Sequence, residues 1–133
     1  MYAQPSYDGI ERTALNPKTN AWETQRGWLM FDANDQVRFV SRSGSQTRIP
    51  YKGIKTMEYS FYSPVETAKT ARHAAFNVKL GGKRYLTVRY ETGSGLETSV
   101  LVLDPDVYQQ VIGSFQSKTG TMVSRPGGFE KHW

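Results

Sequence analysis

Alternation of apolar and polar residues is the strongest signal along this chain, and it predicts strands. Lys55 to Tyr62 puts Met57, Tyr59 and Phe61 on one face and Thr56, Glu58 and Ser60 on the other. Thr24 to Phe31 is an aromatic-rich strand ending in the acidic turn Asp32-Ala33-Asn34-Asp35, and Val37 to Ser41 follows it. Thr47 to Tyr51 is short and contains Pro50, which cannot donate to a ladder, so this strand lies at an edge or ends there. Ser99 to Leu103 is continuously apolar, which predicts cover on both faces, with the following element as the cover.

One hairpin has a register that parity alone selects. Phe76, Val78 and Leu80 share one parity, and Leu86, Val88 and Tyr90 share another beyond Gly81-Gly82. A two-residue turn would place these sets on opposite faces. A three-residue turn over Gly81-Gly82-Lys83 pairs Val78 with Leu86 and Phe76 with Val88, facing one core. Asn77, Lys79, Tyr85, Thr87 and Arg89 then face outward.

A different period follows Leu103. Asp104 reads as an N-cap and Pro105 as the first helical residue. Val107, Tyr108, Val111, Ile112 and Phe115 form one apolar stripe, and Gly120 reads as a C-cap, so a helix is expected over about 105–118. Ser63-Pro64-Val65-Glu66 resembles a capping box, but residues 63–75 have little apolar surface and read equally as a short helix or a loop.

The ends lack such patterning. Residues 1–20 are polar, with the turn formers Asn16-Pro17-Lys18-Thr19-Asn20, and read as a flexible arm with at most a helical turn at Ile10 to Leu15. Residues 124–133 read as a flexible tail, which leaves 21–123 as the domain. About seven short strands and one C-terminal helix make a mainly β protein. An antiparallel barrel or a pair of orthogonal sheets, capped by the helix, is the expected architecture.

This order of elements resembles the pleckstrin-homology (PH) superfold and its GRAM-like branch, and in particular bacterial PH-like proteins. The resemblance is carried by Thr47-Arg48-Ile49-Pro50-Tyr51 with Ile54, Glu58 and Tyr59, by Tyr85 to Tyr90, and by Leu103 to Gly120, and it spans residues 24 to 123. It implies a non-enzymatic binding or scaffolding module. Lipid-binding relatives place basic residues around the first hairpin. Here the turn taken as that hairpin carries Asp32 and Asp35, and Arg38 and Arg42 stand four apart rather than two, so phosphate would meet carboxylates there.

Composition removes most chemistry. There are no cysteines and only two histidines, which argues against thiolate or multi-histidine metal sites and against a cysteine nucleophile. No Gly-x-Ser-x-Gly elbow occurs, and His73 and His132 have no evident carboxylate partner beyond Glu66. Asp104 and Asp106 belong to a helix start, and the glycine pairs to hairpin turns. No catalytic residue, metal ligand or cofactor is expected. Nothing resembles a membrane span or a signal peptide, so a soluble protein is expected, cytoplasmic as the chain stands and exported if a leader was removed.

The net charge of +5 is uneven. Residues 1–66 carry 8 basic and 7 acidic groups, and residues 67–133 carry 9 and 5. Residues 67–90 hold six basic groups and no acid. Lys69, Arg72, Lys79, Arg84, Tyr85 and Arg89 are therefore the candidate residues for an anion-facing surface, with Tyr85 as a possible stacker. The expected partner is a protein, docked between a sheet edge and the helix, or an anionic membrane surface. The alternative is a small basic OB-like barrel binding nucleic acid through exposed aromatics.

Overall fold

The computed structural model describes residues 6–16, 18–33, 35–60 and 83–124. Seven strands form a single antiparallel sheet: β1 (Ser6–Asn16), β2 (Ala21–Phe31), β3 (Gln36–Ser41), β4 (Gln46–Pro50), β5 (Ile54–Ser60), β6 (Arg84–Thr92) and β7 (Gly95–Leu103). A C-terminal helix, α1 (Tyr108–Thr119), follows. The strand order is β4-β3-β2-β1-β7-β6-β5.

That order forces curvature. β4 and β5 are the two edges of the sheet, yet only the 3-10 turn Tyr51–Gly53 joins them. In a flat seven-stranded sheet the edges would lie about 29 Å apart. The connection from Pro50 to Ile54 reaches about 14 Å at full stretch. The sheet therefore curls into a half-barrel, as the mainly β reading with one C-terminal helix expected.

The inner face holds one core. Ile10, Leu29, Phe31, Phe39, Ile49, Leu86, Tyr90 and Leu101 are fully buried there, and α1 adds Val111, Ile112 and Phe115. Phe115 meets Phe31 edge-on at 4.9 Å, and Phe31 meets Tyr7 edge-on at 6.0 Å. All these contacts lie at the end of the barrel where β1 starts and β2 and β7 finish. The helix plugs that mouth. Its C-terminus is as expected: Gly120 takes φ 71° and its N–H donates to the Gln116 carbonyl at 2.9 Å. Its start is later than expected. The Asp104 carbonyl accepts from Val107 and Tyr108 N–H, both at 3.1 Å, in a lead-in turn, while the Asp104 carboxylate pairs with Lys83 instead of capping the helix.

The N-terminal region departs from expectation. Ser6–Asn16 is no flexible arm but strand β1, paired with β2 along its length and with β7 over Glu11–Ala14. A bulge hides its pattern. Gly9 has φ 70°, and the β1–β2 register shifts between Asp8 and Ile10. The inward residues Tyr7 and Ile10 are thereby three apart rather than two, a spacing that imitates a helical turn.

Both sheet edges are modified. Pro50 ends β4 and removes one donor. On β5 the segment after the helix is already seated: Ser124 N–H donates to the Met57 carbonyl at 2.9 Å, and Tyr59 N–H donates to the Ser124 carbonyl at 2.8 Å. Val123 beside it is buried in the core. Residues 63–75 and 76–82 lie outside the described residues, but the expected pairing of Val78 with Leu86 and Phe76 with Val88 is overturned, because β6 has β5 on one side and β7 on the other: Leu86 stands opposite Tyr59 and Leu101, and Val88 opposite Met57 and Ser99.

Candidate functional site

Sheet pairing is incomplete at the mouth opposite the helix. The β1–β7 ladder ends at Ala14 and Ser99. Beyond it β1 continues to Asn16 on β2 alone, and Gly95–Thr98 pairs with β6 alone. The β1–β2 and β6–β7 hairpins thus part into a split whose inner sides lack ladder partners. A groove of about 510 Å³ occupies the split, lined by Arg12, Ala14, Leu15, Trp22, Ser94, Leu96, Glu97 and Thr98. A smaller hollow of about 240 Å³ adjoins it across Ala14 and Leu15, reaching Glu23 and Gln25.

Three large apolar side chains stand in solvent here. Leu15 is 43% exposed, Trp22 46% and Leu96 65%. Leu15 and Trp22 are direct cross-strand partners. Single exposed apolar residues are ordinary; here three surround one concavity. By register Leu15, Trp22, Leu96 and Thr98 belong to the outer face of the sheet, with Thr13 and Val100. Arg12, Ala14, Glu97 and Ser99 belong to the inner face, with Ile10 and Leu101.

The polar side of the groove is held from behind. Arg12 Nε donates to Ser99 Oγ at 2.8 Å, and buried Ser99 shares a hydrogen bond with the buried Tyr90 hydroxyl at 3.1 Å. Glu97 accepts from Thr92 Oγ1 at 3.1 Å and from the Tyr90 hydroxyl at 3.5 Å, and Glu23 accepts from Asn16 Nδ2 at 3.2 Å. The other inward arginine is used differently: Arg84 lies over the Tyr108 ring at 5.2 Å, and Tyr108 stacks on Tyr59 at 5.5 Å.

The basic residues singled out by sequence are not gathered into one described patch. Arg84 and Arg89 stand five apart on β6 and so face opposite sides of the sheet. Arg89 pairs with Glu58 on the outer face at 3.0 Å. Tyr85 is also on the outer face, opposite Val102 and Ser60. Lys69, Arg72 and Lys79 lie outside the described residues, as do His73 and His132. The Asp32–Asp35 turn is corrected too. It joins β2 to β3 and is the second hairpin, so its acids say nothing about the first. Burial raises the Asp32 carboxyl, but hydrogen bonds from Arg38 and Gln36 outweigh this and hold it below the usual carboxylate range. That turn is a structural clasp, completed by the Tyr51 hydroxyl donating to the Asp32 carbonyl at 2.7 Å. The real first hairpin tip carries Lys18 and has no basic-x-arginine triplet on β2.

Among the described residues no group of three His, Asp or Glu side chains could hold a metal ion, and no helix is long and apolar enough to cross a membrane. No family model matches the chain, and no curated protein does. Among solved structures it is similar to the heterodimer of Spt16D and Pob3N, with a TM-score of 0.57 and 15% identity, over 100% of this chain and 60% of that one. The likeness supports a PH-like fold, and this chain spans less than two thirds of that structure's chain.

Proposed function

We propose that the protein is a non-enzymatic binding module that docks a protein partner in the groove between the β1–β2 and β6–β7 hairpins. The observation carrying this reading is the convergence of Leu15, Trp22 and Leu96 on one concavity. Much of their apolar surface is still exposed, and burying it against a partner would be favourable. The fold likeness to a heterodimer is consistent with it. The alternative edge, β5 beside α1, is less suited because Ser124 already sits on it. An anionic membrane or a nucleic acid suits the groove less, since its lining offers one cation, Arg12, where a polyanion is held by several.

A photo-crosslinking amino acid placed at Ser94, which lines the groove, tests this in the native host. A discrete protein adduct, lost on Leu96→Asp and absent from a control at exposed Met122, is the expected result. Adducts to lipid or nucleic acid would reassign the module to a membrane or to the OB-like role.

A further inference from the structure

The split has two chemically different sides, and together they describe the segment that would fill it. We propose that the groove takes an extended peptide in which apolar residues alternate with carboxylates, and that Arg12 anchors those carboxylates. This deepens the docking role proposed above and rests on it.

Three observations carry the inference. First, the gap continues the plane of the sheet. Leu15–Asn16 and Gly95–Thr98 each have a strand partner on one side only, so an extended segment entering between them can add to either. Second, an extended segment sends successive side chains to opposite faces. On the outer face it meets Leu15, Trp22 and Leu96, which suit apolar side chains. On the inner face it meets Arg12. Third, Arg12 is the one cation of the groove's lining, and among the described residues it forms no ion pair, although Glu97 shares that lining. Its Nε is spent on Ser99, which fixes the guanidinium and leaves its two terminal nitrogens for a ligand. Glu97, on the same inner face, is held towards β6 by hydrogen bonds from Tyr90 and Thr92.

Fluorescence anisotropy with the full chain and three labelled octapeptides tests the proposal. One peptide alternates leucine with aspartate, one leucine with asparagine, and one leucine with lysine. The aspartate peptide should bind at least about tenfold more tightly than the asparagine peptide, and the lysine peptide most weakly. Arg12→Gln should erase the aspartate preference, and Arg12→Lys should retain part of it. Trp22→Ala should weaken aspartate and asparagine peptides alike. Thermal melts on each variant establish that it is folded, and Trp22→Ala keeps the test informative should Arg12→Gln fail to fold.

Equal binding of the aspartate and asparagine peptides, with both weakened by Trp22→Ala, would overturn the carboxylate assignment and leave the docking groove standing. An aspartate preference that survives Arg12→Gln would also overturn it. Failure of all three peptides, together with no protein adduct from position 94, would remove the groove reading itself. Binding to phosphatidylserine vesicles that depends on Trp22 would assign the groove to a membrane and overturn the proposal.

Discussion

The two mouths of the half-barrel are built from the same strands and treated in opposite ways. At the mouth where β1 starts, α1 inserts Val111, Ile112 and Phe115 into the core. At the mouth where β1 ends, the sheet parts, and Leu15, Trp22 and Leu96 remain in solvent. The contrast separates two uses of apolar surface. One set stabilises the chain by burial within it. The other set stays largely exposed, and on the docking role proposed above a partner would bury it.

Substitutions at each mouth can break this division. Phe115→Ala empties the helix-plugged mouth beside Phe31 and should cost about 3–5 kcal/mol, read as a lower midpoint in urea unfolding. A loss under about 1 kcal/mol would mean the helix is an accessory rather than a plug. High pH attacks the same mouth. Burial, with the charges of Asp32 and Asp35, pushes the Tyr51 phenol up to about 12, and burial pushes Tyr59 up to about 12, from 10.0. Both rings are favoured neutral in the fold, so their contribution is complete below pH 10 and is lost as pH climbs towards 12. Unfolding midpoints followed across that window should fall, and Tyr51→Phe or Tyr59→Phe should flatten the decline.

Smaller effects sharpen the comparison. Gly120→Ala forces a side chain into the left-handed cap of α1 and should cost about 1 kcal/mol, seen as a drop in Tm. Trp22→Ala at the split mouth should change stability by no more than about 0.5 kcal/mol while abolishing partner capture. If Trp22→Ala destabilised the protein as much as Phe115→Ala, the exposed cluster would be part of the core after all.

Particular residues show why the sequence reveals the helix-plugged mouth better than the split one. The stripe of Val111, Ile112 and Phe115 and the alternation of Met57 and Tyr59 are local patterns, and all five side chains are buried. Strand β1 escapes because the bulge at Gly9 breaks its alternation, and because Arg12 occupies an inward position that an apolar residue would have advertised. The groove has no local signature at all. Leu15 and Leu96 become neighbours only because β1 pairs with β7, a contact no window of sequence contains. The acid-free stretch around Arg84 and Arg89 looked like a patch because charge was summed along the chain. Strand parity sends the two to opposite faces, one onto Tyr108 and the other onto Glu58.

The position of β1 also bears on how the protein is made. Its partner β2 is synthesised at once, but its bond from Arg12 to Ser99 waits for a residue 87 positions further on. A nascent chain can therefore assemble the β1-to-β4 meander early, yet one flank of β1 stays open until β7 emerges. Closure over so long a separation is slow, on the order of milliseconds to seconds, and stopped-flow refolding should show it. During that interval the open flank of β1 is the place where a wrong strand can pair, so the chain most needs protection between the synthesis of β1 and the emergence of β7.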